Sequence, residues 1–193
     1  MTDNSEFDPH FYDPRTAEPT GGTRPAAPWI YLLAVAGGLL GILAAIYEEG
    51  QHSAILSMVV FAPAVEEVCK PLGVLMMVEK RPHWLRSRVE LVVLALLSAG
   101  VFASLENVLY LTLYNPGGTR FYVLWRLVIC TGMHLAATFI FSLGLVKAWR
   151  QRIAGKTQTT AALFRYWVAA ACLHAAYNAS VLVAGLTGVL TFD

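Results

Sequence analysis

Long apolar runs, each interrupted by a few polar positions, alternate along the chain with short polar connections. Five runs stand out, at roughly 28–46, 53–78, 89–113, 121–146 and 164–187. A helix that crosses a bilayer needs about 20 consecutive, mostly apolar residues. In hydrocarbon the backbone must satisfy its hydrogen bonds within the segment, so each run is expected to be a helix. The pattern predicts an all-α, polytopic membrane helix bundle of about five transmembrane helices. Within the first run Gly37 and Gly41 form a GxxxG pair, which lets two helices approach closely.

Residues 1–27 break this pattern. They are acidic, rich in Pro, Gly and Thr, and poor in apolar periodicity, which predicts a disordered tail ahead of one helical domain over 28–190. The tail has no basic stretch of the kind that opens a signal peptide, so the first run is expected to stay as an anchor. Only 14% of residues are charged and 56% are hydrophobic. A soluble domain carries about 25% charged residues, so the deficit supports the membrane reading. Cys69, Cys130 and Cys172 fall in separate runs without CxxC spacing and read as small packing residues, with no structural disulfide expected. No basic patch interleaved with aromatics is present, so nucleic acid is not an expected partner.

Charge in the connections orients the bundle. Lys80, Arg81, Arg86 and Arg88 sit in one connection, and Lys147, Arg150, Arg152, Lys156 and Arg165 in another. Arg15 and Arg24 lie in the tail, whereas the intervening connections, 47–52 and 114–120, carry only Arg120. Basic residues mark the cytoplasmic side. The expected topology is a multi-pass cell-membrane protein with its N-terminus in the cytoplasm and its C-terminus outside.

The polar residues inside the runs carry the chemistry. The second run holds Glu66, Glu67 and Lys70, the third Phe102, Glu106 and Asn107, the fourth His134, and the fifth His174 and Asn178. A charge at the bilayer centre costs about 2.5–3.5 kcal/mol on insertion scales. Hydrogen bonds between membrane helices contribute about 0.6–2 kcal/mol each, too little to explain so many ionisable groups by packing alone. Glu66 and Lys70 are one turn apart, as are Phe102 and Glu106, and His174 and Asn178. Thr131, His134, Thr138 and Ser142 form a polar stripe on the fourth run. At about 1.5 Å per residue, Glu66 and His134 both lie about 20 Å from the outer ends of their helices, so the groups can meet in one layer.

Such a layer can perform acid–base chemistry. A carboxylate with an imidazole can activate water, and an amide with a second imidazole can donate to a developing oxyanion. Glu66 is expected to act as base and Glu67 as a second carboxylate held by Lys70. His134 is expected to share water activation, and His174 and Asn178 to stabilise the oxyanion. Lys70, Phe102 and Asn107 are supporting residues, Phe102 by packing. Arg126 is expected to snorkel to the outer interface, with pairing to Glu106 as the alternative. Pro63 and Pro71 bracket the Glu66–Lys70 turn and are expected to kink the second run. A proton-coupled transporter would use similar groups, but the internal repeats common in transporters are not seen in the sequence.

The motifs EEVCK (Glu66, Glu67, Lys70), FASLEN (Phe102, Glu106, Asn107), His134 and HAAYN (His174, Asn178) appear one per successive helix. In that order the chain resembles the PrsW membrane proteases, relatives of the CAAX-prenyl-protease and bacteriocin-processing superfamily. The resemblance covers roughly residues 50–185. It implies an intramembrane endopeptidase acting on membrane-associated proteins, and some family members act on anti-sigma factors. In the wider superfamily the second motif ends in His, where Glu106 stands here. No HExxH zinc motif is present. The expectation is hydrolysis by carboxylate, imidazole and amide groups without a cofactor. The alternative is a metal such as zinc, held by Glu66, Glu106, His134 and His174 from separate helices.

Overall fold

The computed structural model describes residues 28–49, 53–156 and 160–190. The tail expected to be disordered, 1–27, lies outside the described residues. The described residues are helical throughout their ordered elements, with no strand among them. The helices are α1 (Trp29–Glu49), α2 (Ala62–Cys69), α3 (Leu72–Lys80), α4 (Arg88–Leu109), α5 (Thr131–Ile153) and α6 (Thr160–Leu186). Four stretches among the described residues are long and apolar enough to cross a membrane: Trp29–Tyr47, Arg88–Tyr114, Arg120–Ile153 and Leu163–Leu186. The fold is an all-α membrane helix bundle.

The second apolar run is not one uninterrupted helix. It begins with Ala54–Leu56 and a π-helical stretch, Ser57–Phe61, continues through α2, and breaks at Lys70–Pro71 before α3. Pro71 has no N–H to give to the carbonyl one turn back, and its ring crowds that carbonyl. At the same break the carbonyl of Lys70 accepts the hydroxyl of Ser98 on α4. The break of the run is at Pro71, whereas Pro63 directly follows the π-helical stretch Ser57–Phe61 inside a continuous helical backbone.

Even broken, this segment runs from one end of the bundle to the other. Its far end lies beside the start of α1 and the end of α5. Trp84 packs against Trp29, Trp149 donates its indole N–H to the Pro82 carbonyl at 2.8 Å, and Arg152 pairs with Glu79. The two basic connections thus sit at the same end. Two π-helical stretches, Tyr110–Tyr114 after α4 and Trp125–Cys130 before α5, interrupt the regular α-helix inside or at the edge of the expected runs.

Close approach of α1 positions the break. A Cβ on Gly37 would stand 2.6 Å from the Lys70 carbonyl, and one on Gly73 would strike the Leu33 backbone. The GxxxG face therefore seats α1 directly over the Lys70–Pro71 break. Ile30, Ala34, Val74, Met77, Leu91, Leu94, Leu145 and Trp149 form the buried core around it. At the start of α4 Ser87 accepts the Glu90 N–H at 3.1 Å, while Glu90 accepts the Arg86 N–H at 2.7 Å. This reciprocal cap explains why the helix starts at Arg88. Leu32, Leu43, Val93, Val108, Leu124 and Leu186 stay exposed, as expected for side chains that face lipid.

Candidate active site

Four helices meet around the end of α2. In a helix, residues three and four apart share a face, so α2 presents Glu66, Glu67 and Lys70 together. Lys70 is fully buried, at 0% exposure. Its ammonium donates to Glu67 Oε1 at 2.6 Å and to His134 Nδ1 at 2.8 Å, and lies 3.5 Å from Glu66 Oε2. It also sits 4.6 Å from the ring centre of Phe102, whose face offers a cation–π contact. A buried cation is tolerated only with such a set of partners.

Two carboxylate–imidazole pairs extend from this centre. An ammonium has no acceptor, so Nδ1 of His134 carries the lone pair and its Nε2–H donates to Glu106 Oε2 at 3.0 Å. Glu106 Oε2 also accepts from Arg126 at 2.7 Å. Arg126 in turn donates to Asn107 Oδ1 at 3.1 Å, and the Asn107 amide donates to Thr131 Oγ1 at 3.0 Å. On the other side, His174 Nδ1 lies 2.8 Å from Glu67 Oε1, and Thr138 donates to Glu67 Oε2 at 3.4 Å. Each histidine thus has one nitrogen fixed by a carboxylate. The rings of His134 and His174 meet edge to face, 4.9 Å between centres, and Phe102 packs edge-on against His134 at 5.2 Å.

The structure brings Glu66, Glu67, Lys70, Phe102, Glu106, Asn107, His134 and His174 into this layer. Asn178 is on the same helix as His174, but its amide donates to the Met58 carbonyl in the π-helical stretch at 2.8 Å. It ties α6 to the segment before α2. Arg126 does not snorkel to the interface but takes the alternative, buried and bonded to Glu106, and the carboxylate and amide it meets offset the cost of that burial. Thr138 was visible only as part of a polar stripe, and its partner on another helix was not. Ser142 in the same stripe bonds back to the Phe139 carbonyl at 2.6 Å.

One atom in the layer is left over. Glu66 Oε2 is buried and has no hydrogen-bond partner among the described residues. Glu66, His134 and His174 each offer a ligand atom, and those atoms all lie within 4.8 Å of one another. Two imidazoles and a carboxylate are the donor set that catalytic zinc sites use while keeping a position open. Glu67 and Glu106 hold the imidazoles as carboxylates do around metal sites. Three carboxylates also face only two fixed cations, Lys70 and Arg126. The residues present fit a divalent metal that takes the place of the Lys70 ammonium at His134 Nδ1.

A profile described as PrsW family intramembrane metalloprotease matches residues 26–192. The chain belongs to the PrsW family. No curated protein and no solved structure matches it. Membership makes this PrsW chain a membrane protease by family, and the match spans all four motif-bearing helices. The expectation that no cofactor is needed is not supported. The family is one of metalloproteases, and Glu66, His134 and His174 form a group able to hold the ion.

Proposed function

We propose that the chain is a metal-dependent endopeptidase that cuts membrane-embedded proteins within the bilayer. Glu66, His134 and His174 are the residues that would hold the ion, and the single observation behind this is the convergence of their ligand atoms, with Glu66 Oε2 buried without a hydrogen bond. When bound, such an ion polarises a scissile carbonyl and lowers the pKa of attacking water. Glu67 fixes the His174 ring, and its own charge is balanced by Lys70. Glu106 fixes His134, and both of its bonds fall on Oε2. Its side chain is 15% exposed, the most open of the three carboxylates, so it is placed to exchange a proton with water or with a leaving amine.

A second reading keeps Glu66 as a metal-free general base. It is favoured by Lys70, whose ammonium already lies 3.5 Å from that carboxylate and offers a fixed positive charge. Asn178 gives one amide hydrogen to the Met58 carbonyl and keeps a second that could serve an oxyanion in either reading. The substrate class is a protein with a membrane-spanning segment, of which a single-span anti-sigma factor is one example. The basic connections put the shared end of α3, α5 and the start of α1 in the cytoplasm, with the C-terminus outside.

Co-expression with tagged single-span proteins tests the activity. Wild type should release a fragment that Glu66→Ala does not. Equal fragment release by the two would refute a protease site at Glu66.

A further inference from the structure

We propose that the basic end of α5 binds the headgroup of an anionic phospholipid. Leu143, Val146, Lys147, Arg150 and Gln151 recur every three or four positions and therefore lie along one helix face. They line a cavity of about 510 Å³. Gly155, with φ 74, reverses the chain just past the helix, and Lys156 returns to line the same cavity. Every charged residue lining it is a cation.

The chemistry is graded along the helix. Leu143 is 41% exposed and Phe139, one turn farther into the membrane span, is 46% exposed, an apolar track suited to an acyl chain. Lys147, Arg150 and Lys156 follow toward the end of the bundle, where headgroups lie. Arg150 Nε is buried without a hydrogen-bond partner among the described residues. Gln151 Oε1 and Arg152 Nε share that state, but Arg152 also pairs with Glu79 through its Nη2, and it does not line the cavity. A guanidinium and two ammonium groups lining one cavity match the oxygens of a phosphodiester. Basic pockets at the cytoplasmic boundary of membrane helices recognise anionic lipid headgroups in this way. The site shares no residue with the carboxylate–histidine layer.

The test is native mass spectrometry of the full chain, released from a neutral detergent after titration with phosphatidylglycerol or phosphatidylcholine. Wild type should retain one phosphatidylglycerol with at least tenfold preference over phosphatidylcholine. The variant Lys147→Gln/Arg150→Gln/Lys156→Gln should lose that preference by tenfold or more. A control that removes as much charge from the same end, Lys80→Gln/Arg81→Gln/Arg165→Gln, should keep it. Circular dichroism of both variants verifies that the helices are intact. Equal loss in the control would show diffuse attraction and overturn the site. So would equal retention of the two lipids, or displacement of the lipid by millimolar inorganic phosphate, which would mark a site for a free anion.

Discussion

Lys70 joins much of the buried layer, touching Glu67, His134, Glu66 and Phe102. Removing its charge leaves Glu67 and its neighbours short of a donor. Breaking a buried pair by deleting one partner costs about 3–5 kcal/mol, so Lys70→Met should lower the unfolding temperature in detergent and abolish cleavage. Lys70→Arg keeps the charge and should lose less stability. Arg126 tests the other arm. Loss of a group that orients a metal-binding imidazole through a carboxylate typically costs about 10–100-fold in activity or metal affinity. Arg126→Met should fall in that range with helix content unchanged, and Arg126→Lys should recover part of it; an unaffected Arg126→Met would separate Glu106 from the chemistry. At this scale the sequence was partly legible. The i, i+4 pair Glu66 and Lys70 shares one helix, so its contact follows from helical geometry. The partners of Arg126 and Thr138 are on other helices; depth alone allowed the Arg126–Glu106 pair as an alternative, but apolar runs do not reveal the rotation that decides which faces meet.

Among the elements, the α2–α3 break carries the site, because it ends the helix at Lys70 and brings α1 and Ser98 against the freed backbone. Gly37 makes that approach possible. Gly37→Val would push against the Lys70 carbonyl, and overpacking of this kind costs about 1–3 kcal/mol. The substitution should lower thermal stability and activity together, and Gly100→Val, where an added Cβ meets nothing within 4 Å, is the control that should leave activity intact. The existence of the spans was legible from apolar length, and Pro71 announced the kink. The π-helical stretches at Ser57–Phe61, Tyr110–Tyr114 and Trp125–Cys130 were not, since their apolar residues suit a π turn and an α turn equally well. All three lie on the side of the carboxylate layer away from the basic connections, in stretches where local irregularity often accompanies a functional site.

For the molecule as a whole, the Trp29, Trp84 and Trp149 contacts gather the basic connections at one end, and the bundle lays its ionisable groups in a layer between the two ends. If that end is cytoplasmic, single cysteines placed at Gly117 and Gly155 in a chain otherwise free of cysteine should respond oppositely to an impermeant thiol reagent applied outside. Gly117→Cys should be labelled and Gly155→Cys protected; the reverse would invert the topology. Assembly of Glu66, His134 and His174 from α2, α5 and α6 into a metal-competent group is the central claim, and reconstituted cleavage tests it most directly. Purified protein in lipid is given a single-span substrate, before and after a strong chelator and after zinc is returned. Wild type should cleave, lose activity on chelation and regain it with zinc, while Glu66→Gln stays inactive throughout. Cleavage that persists in the chelated enzyme or in Glu66→Gln would contradict the claim.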